Sequence, residues 1–545
     1  MVHYFIPPND QLEPIYISPI EWRWVMVVSV LLVFVTTLPI LIGITVATLQ
    51  PSYSFMGVMV NYYDGATYLS KIQQGVEGSL TVGFRHSPLE TDEAYLWLLY
   101  ATIGQVARVF NLSNGVAFHL FRVLFGLLMF LGLYQLGATI WQRQRSRRIF
   151  FLVVSLGSGL GWAFLPFVQS EAFPDLAIPE AYPFYSVAAN VHFPFALMLI
   201  SFAVNYFIRV FRPGVHIKPT IRNGGLMMIL TSIGLAISAP HVLLSMGLAL
   251  FLLILIGLLL HRKIKPFHVG WFSLFVLPST PFAVYYLGVI RFNPTFSLWN
   301  AQNITLSPAL WIYLVGFAIP LLVAMPGIYR ALRHFEADGD QLMVLWLVVI
   351  LALVYFPSNG QRRFSMGLMI PLAYFAMRSL EDFWFRWVAP ERRMLMGMLT
   401  FAMMCISQLL LVVIWIAFAL NPMDSPVFLS RNYDDAFKWL QQHPTANGVV
   451  LASSEPSLWI PTRTSFRVVY GHPFETIHAV YNQQRVEAFF AHADSDTAIC
   501  EQVLQEFEVV YVVVGQLEQL TDQPSTCLAT LQLRETFGDV AIYQP

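Results

Sequence analysis

The feature that most constrains this chain is residues 24–49, which run for 26 residues without a charged side chain. About 20 apolar residues are enough for a helix to cross a bilayer. The whole sequence is 57% hydrophobic and only 12% charged, and a water-soluble domain could not bury so many apolar residues. In lipid a helix satisfies its own backbone hydrogen bonds. The sequence therefore predicts a mainly α, polytopic membrane protein, and this first run is a retained helix rather than a short cleavable signal.

Ten further membrane spans are predicted from the alternation of apolar runs and short polar loops. The short loops 142–148 and 261–265 are rich in arginine and lysine, and such loops tend to stay in the cytoplasm. Eleven spans then place the N-terminus inside and the C-terminus outside. The ten further spans are 115–141, 149–168, 192–211, two within 224–260, 267–289, 308–332, 341–356, 364–377 and 394–420.

Residues 94–110 are apolar but are interrupted by Gln105 and Arg108. If they crossed the membrane, every later arginine-rich loop would move to the outer side. We therefore expect them to form a helix that lies in the membrane interface.

Two domains are expected, with a boundary near residue 420. Residues 1–420 form the membrane domain, whose first outer loop, 50–114, is unusually long. Residues 421–545 change in character, since short β-rich runs at 449–452, 466–470, 509–514 and 540–543 alternate with helical stretches. This alternation predicts a small extracytoplasmic α/β domain. Cys500 and Cys527 are the only possible disulfide pair in this tail.

The first candidate for chemistry is Asp64, in the stretch Tyr62-Tyr63-Asp64-Gly65 just beyond the first span. A carboxylate at the membrane surface can accept a proton from a nucleophile or bind a divalent cation. The alternative is an ordinary solvated turn, because Asp-Gly is a common turn pair.

The second outer loop contains the acids Asp175 and Glu180 and ends near His192. An acid with a nearby histidine can provide half of a metal site. The alternative is a capped loop with a histidine at the membrane interface.

Cationic candidates lie at other outer positions. Arg362 and Arg363 are adjacent on the outer side, whereas the other arginine clusters lie inside, and paired guanidinium groups are suited to phosphate. The alternative is a pair that snorkels from a helix end. His241 follows Pro240 and either contacts a lipid phosphate or satisfies a helix end, and Arg85 in the first loop is a weaker cationic candidate.

A histidine and an acid, His472 and Glu475, occur in the tail segment Tyr470-Gly471-His472-Pro473-Phe474-Glu475-Thr476. No nucleophile of fixed geometry accompanies them. We interpret the segment as a strand-to-helix turn.

The order and sidedness of these motifs resemble the GT-C superfamily of membrane glycosyltransferases, which includes protein O-mannosyltransferases and aminoarabinose transferases. The likeness covers most of residues 20–420 and is strongest to bacterial members. The motifs that carry it are residues 64–80 (DGATYLSKIQQGVEGSL), the acidic loop leading to Asn190-Val191-His192, Ser238-Ala239-Pro240-His241, Asn293-Pro294 through Trp299 to Asn303, and Gln361-Arg362-Arg363-Phe364.

The resemblance implies transfer of a sugar from a polyprenyl-phosphate donor to an acceptor on the extracytoplasmic side. Asp64 would be the base or a metal-binding acid, and Glu180 or Asp175 its partner from the second loop. Arg362 and Arg363 would contact the leaving phosphate, with His241 and Arg85 as further contacts to the lipid carrier. The sequence departs from the family at Gly65, where many relatives have a second acid.

The resemblance also bears on cofactors, partners and location. A divalent metal ion is a candidate cofactor, with Asp64, Glu180 and His192 as candidate ligands. The expected partners are membrane lipid, the polyprenyl-phosphate donor and an acceptor, and no nucleic acid. The expected location is a bacterial plasma membrane.

Two non-enzymatic alternatives stay open, an inactive GT-C-like scaffold subunit and a polytopic transporter. Transporters usually place ionisable residues near the bilayer midplane, whereas polar residues gather here in the outer loops.

Overall fold

The computed structural model describes residues 16–168, 172–212, 219–336, 339–492, 498–519 and 525–545. The chain divides into two compact units, and four of the five divisions between them fall inside helices. The first unit is Met1–Thr37, Arg122–Val284 and Thr305–Ile414, and the second is Leu38–Phe121, Tyr285–Ile304 and Trp415–Pro545.

The first unit is helical. Its helices share apolar sequences, and Pro240 separates two of them because proline cannot donate the backbone hydrogen bond that would continue the helix. The predicted break at residues 238–241 is thus confirmed. The α-helices wholly within this unit are Gln144–Leu156, Gly161–Phe164, Pro174–Ala177, Pro183–Ala188, His192–Phe211, Ile221–Ser238, Pro240–His261, Pro266–Val276, Leu310–Gly316, Ala318–His334, Asp340–Leu353, Met369–Ser379 and Phe385–Trp387.

The chain passes from one unit to the other at five points, and the point between Ile304 and Thr305 lies outside the helices. Four helices contain the other points. They are Pro19–Leu49, Asn114–Ile140, Thr280–Phe292 and Pro390–Leu420. Short 3-10 or π turns complete the first unit at Pro179–Ala181, Leu277–Ser279, Gln361–Ser365 and Leu380–Trp384.

In the second unit, strands β1 (Tyr53–Phe55) and β2 (Phe428–Ser430) pair antiparallel. This pairing joins the first loop to the start of the tail. The helices of this unit outside the tail are Tyr62–Val76, Leu98–Phe110 and Pro294–Gln302.

A mixed five-stranded sheet is found in the described part of the tail. The strands are β3 (Val449–Leu451), β4 (Arg467–Val468), β5 (Val509–Val514), β6 (Gln532–Phe537) and β7 (Val540–Gln544), in the order β4-β3-β5-β7-β6. The first three are parallel, and β7 is antiparallel to both β5 and β6. The helices Arg431–Gln442, Ser454–Trp459, Ala479–Phe490 and Ala498–Glu506 accompany the sheet.

Apolar helices of membrane-crossing length are abundant in the described residues. By length and composition eight qualify, or nine if the bent pair Leu310–Gly316 and Ala318–His334, at 92° to each other, is one span. Two segments predicted as spans form helices of only 14 and 11 residues, Asp340–Leu353 and Met369–Ser379. The predicted total of eleven and the orientation therefore stay predictions.

The helix Leu98–Phe110 has 13 residues, which is too short to cross a bilayer. It packs against the helix Tyr62–Val76 where Gly75 and Gly104 meet. A Cβ atom on Gly104 would lie 2.2 Å from the carbonyl oxygen of Ile72 and 2.7 Å from the Cα of Gly75. Glycine is required at this crossing because any side chain would force the helices apart. The crossing fixes the helix on which Asp64 lies.

Candidate functional site

Asp64 lies in the first turn of the helix Tyr62–Val76, which follows Asn61 in a left-handed conformation. The free backbone N–H groups and the dipole at a helix N-terminus favour a carboxylate there. Asn61 Nδ2 donates a hydrogen bond of 2.8 Å to Asp64 Oδ2. The Asp64 side chain is 41% exposed, so its carboxylate is both held in place and open to solvent.

The other carboxylate oxygen of Asp64 faces a histidine of the tail. His472 Nε2 lies 3.9 Å from Asp64 Oδ1, and its side chain is almost fully buried. Tyr63 packs edge-on against the imidazole, with ring centroids 6.0 Å apart. Burial lowers the pKa of His472 to about 4, so the ring is neutral at physiological pH.

A buried ion pair lies about two turns further along the helix. Lys71 Nζ is 2.5 Å from Glu475 Oε1, and both side chains are buried. The ammonium also lies 4.5 Å from the centre of the Trp97 ring, a cation–π contact. His86 Nδ1 is 3.8 Å from the second Glu475 oxygen. Burial by itself would raise the pKa of Glu475, but the neighbouring Lys71 holds it well below its usual range.

Gly65 is buried beside Asp64, at the position where many GT-C relatives have a second acid. A Cβ atom there would lie 2.9 Å from Val58 Cγ2, closer than van der Waals contact allows. A longer acidic side chain would need Val58 to move. The packing at this position thus gives a physical reason for the departure from the family pattern.

Arg85, predicted to contact the lipid carrier, forms an ion pair with Glu77. Its Nη1 atom also donates a hydrogen bond of 3.2 Å to the carbonyl of Thr464. In this structure Arg85 joins the first loop to the tail.

The first unit contains a second polar group. Arg362 Nε lies 3.3 Å from Glu180 Oε1; Glu180 is buried and Arg362 is one-third exposed. The turn Gln361–Ser365 holds Arg362, whose backbone N–H donates to the carbonyl of Thr305. Burial, reinforced by the charge of Glu180, raises the pKa of the nearby Tyr185. The structure therefore brings together the predicted acid of the second loop and one of the two predicted arginines.

Asp175 has a different environment. It is fully buried, and its Oδ2 atom accepts hydrogen bonds from the Gly161 backbone N–H at 3.0 Å and from Ser407 Oγ at 2.5 Å. Burial raises its pKa to about 6. These contacts join the segment around Asp175 to the helix Pro390–Leu420.

Arg363 interacts electrostatically with His192 and His241. His192 begins the helix His192–Phe211 and packs on Phe193, and His241 lies edge-on to Phe364. Both histidines therefore lie close enough to Arg363 to feel its positive charge.

The candidate metal ligands are Asp64, Glu180 and His192. Among the residues that the structure describes, no three or more His, Cys, Asp or Glu side chains are arranged to hold a metal ion. Asp64 belongs to the second unit, whereas Glu180 and His192 belong to the first. A metal site formed by Asp64, Glu180 and His192 therefore stays a prediction.

Several residues near Asp64 were not selected from the sequence as site residues, namely Asn61, Lys71, His472 and Glu475. The tail segment 470–476 did stand out for its histidine and acid. Its link to Asp64 is a contact between distant parts of the chain, and no local pattern encodes it.

Solved structures of similar fold were found for nearly the whole chain, although no protein family profile and no curated protein sequence matches it. ArnT from Cupriavidus metallidurans, bound to undecaprenyl phosphate, aligns with a TM-score of 0.54 at 11% identity, over 96% of this chain and 98% of that one. The apo oligosaccharyltransferase of Archaeoglobus fulgidus aligns with a TM-score of 0.51 at 13% identity, over 92% and 70%.

The mycobacterial arabinofuranosyltransferase AftD aligns with a TM-score of 0.50 at 15% identity. The alignment covers 97% of this chain but 40% of AftD. The fold of this protein is that of the GT-C membrane glycosyltransferases. With its apolar helices, this fold makes the chain an integral membrane protein.

Proposed function

We propose that this protein transfers a sugar from a polyprenyl-phosphate donor to an acceptor hydroxyl at the extracytoplasmic surface of a bacterial plasma membrane. The observation that carries the proposal is the partly exposed Asp64 carboxylate at a helix N-terminus, in a chain with the GT-C fold. The solved ArnT structure contains undecaprenyl phosphate, which supports a carrier of that class.

In the proposed reaction, the oxygen of the acceptor hydroxyl bonds to the anomeric carbon of the sugar. Asp64 accepts the proton of that hydroxyl as the bond forms. The bond between that carbon and the phosphate oxygen breaks, and the electron pair leaves with the polyprenyl phosphate. A cation stabilises the charge that develops on the leaving group. Arg362, in the first unit, stays the proposed phosphate contact because its side chain is one-third exposed and a guanidinium group is well suited to phosphate.

An extracytoplasmic tail is supported by the disulfide between Cys500 and Cys527, whose Cα atoms are 5.2 Å apart. Disulfides persist in oxidising compartments and are rare in the cytoplasm. A divalent cation stays a proposal, and no step of the reaction is assigned to it. Activity retained in excess EDTA would exclude a metal requirement.

The test begins with a deletion strain of the source organism, complemented with wild-type protein or with Asp64→Asn. The variant keeps the shape of the side chain and its contact with Asn61 but removes the base. We expect it to abolish transfer, so that the surface glycan is missing and the polyprenyl-phosphate sugar accumulates in the lipid extract. Mass spectrometry measures both.

A matched control is Asp435→Asn, an acid on the exposed face of the tail helix Arg431–Gln442, which we expect to restore wild-type glycosylation. Full glycosylation by stably expressed Asp64→Asn would favour the scaffold alternative. A missing glycan without accumulated donor would place the defect upstream of transfer.

A further inference from the structure

The loop 471–476 of the tail, here called the histidine loop, fixes the orientation and the tautomer of His472. The backbone N–H groups of Phe474 and Glu475 both donate to His472 Nδ1, each at 3.1 Å. An imidazole nitrogen that accepts hydrogen bonds carries no proton. In a neutral ring the proton therefore lies on Nε2, the atom that faces Asp64.

His472 Nε2 is buried and has no hydrogen-bond partner among the described residues. A buried donor without a partner is costly, and such atoms in native proteins call for an explanation. The carboxylate oxygen 3.9 Å away on Asp64 is the acceptor that this donor faces. The distance is too long for a hydrogen bond, but bonds at catalytic groups are often long in unliganded enzymes and shorten when substrate binds.

The histidine loop is held rigidly. Thr476 Oγ1 accepts from the backbone N–H groups of Gly471 and His472 and donates to the carbonyl of His86. Glu475 is anchored by Lys71, from the same helix as Asp64. These contacts join the histidine loop to the helix that presents the carboxylate.

We propose that His472 is a positioning residue, whose Nε2–H donates to Asp64 Oδ1 and, with Asn61 on the other oxygen, sets the carboxylate in its proton-accepting orientation. This inference rests on the proposed function. It gives the C-terminal domain a role in the chemistry, since a residue of the tail completes the surroundings of an acid in the first loop. His472 does not itself exchange a proton with substrate.

Two substitutions separate the functions of the two imidazole nitrogens. In His472→Asn the amide oxygen replaces Nδ1 as acceptor for the loop N–H groups, as in an Asx turn, but nothing reaches Asp64. In His472→Gln an amide N–H group lies near the former position of Nε2. Turnover is measured on full-length protein in proteoliposomes, with the polyprenyl-phosphate lipid extract of the deletion strain as donor and membranes of that strain as acceptor.

We expect His472→Asn to lower kcat by about tenfold or more, the loss typical of a hydrogen bond to a charged group, with KM and the melting temperature unchanged. His472→Gln should recover most of the lost kcat. The matched control is His443→Asn, because His443 is exposed in the same domain and its Nδ1 atom donates locally, to the carbonyl of Trp439. We expect it to behave as wild type.

Wild-type kcat in His472→Asn, with Asp64→Asn inactive, would overturn the positioning role and leave the proposed function intact. An equal loss of kcat in both His472 variants, together with a lowered melting temperature, would show that the histidine only supports the fold. Wild-type turnover in Asp64→Asn would instead overturn the proposed function at its base.

Discussion

At the scale of single residues, the part of the second unit around Asp64 combines a partly exposed carboxylate with a buried ion pair. Asp64 is held by Asn61, and the helix below it is tied to the tail through Lys71 and Glu475. A buried ion pair is poor evidence for stability, but removal of one partner leaves an uncompensated charge. The pair therefore favours one position of the first loop against the tail.

Lys71→Met should destabilise the protein strongly, by about 3–5 kcal/mol for the loss of one partner of a buried pair. Adding Glu475→Gln should restore part of that loss because the orphaned charge is removed. Lys438→Met is the control, since Lys438 is itself exposed and pairs with both Asp434 and Asp435, and pairs of an exposed lysine contribute about 1 kcal/mol or less. Thermal unfolding in detergent measures all four proteins. A melting temperature for Lys71→Met equal to that of Lys438→Met would contradict the expectation.

The same pair predicts how stability depends on pH. The folded-state pKa of Glu475 lies below its unfolded value because of Lys71. The contribution of Glu475 to the free energy of unfolding is therefore present above the ordinary carboxyl pKa, about 4.5. It is lost as the pH falls through the folded-state pKa. We expect Glu475→Gln to reduce the loss of melting temperature between pH 5 and pH 3. An unchanged acid profile in that variant would show that other carboxylates dominate.

At the scale of elements, the contact between the helices Tyr62–Val76 and Leu98–Phe110 is set by two glycines. The charge pattern predicts a helix in the membrane interface over 94–110, and the structure contains a helix of 13 residues there. It did not predict that this helix supports the one that carries Asp64. Gly75 and Gly104 lie on separate segments of the sequence. Their positions indicate a close helix crossing only once the two helices are known to be in contact.

Gly104→Ala should lower the melting temperature, because the added Cβ would meet the carbonyl of Ile72 at 2.2 Å and overpacking costs about 1–3 kcal/mol. It should also lower transfer by displacing the helix of Asp64. Gly257→Ala is the matched control, since a Cβ there meets nothing within 4 Å and alanine favours helix. A melting temperature equal to that of the control would show that the crossing relaxes without cost.

The strands illustrate the limits of sequence patterns in the same way. The runs at 449–452, 509–514 and 540–543 are apolar and were predicted, and all three form strands. Strand β6 was missed because QLRETF has almost every side chain exposed at the edge of the sheet, where polar residues discourage further pairing. β1 and β2 were missed because each has only three residues and forms by pairing with the other.

At the scale of the whole molecule, the sidedness of the protein can be tested by labelling. Single cysteines are introduced at Glu535 in the tail and at Gln142 in the first arginine-rich loop, both of them exposed. A membrane-impermeant maleimide should label the tail cysteine in intact cells and the loop cysteine only after permeabilisation. The reverse pattern would overturn the predicted orientation.

Composition and charge distribution alone determined that this is a polytopic helical membrane protein and favoured a set of outer residues for its chemistry. Hydropathy and charge are properties of local segments, so the sequence alone is enough to evaluate them. Only the tertiary structure placed His472 beside Asp64, Glu475 on Lys71 and Arg362 against Glu180. Each of these contacts joins segments far apart in the sequence, and the free energy that selects them comes from packing and burial of the folded chain rather than from any local preference.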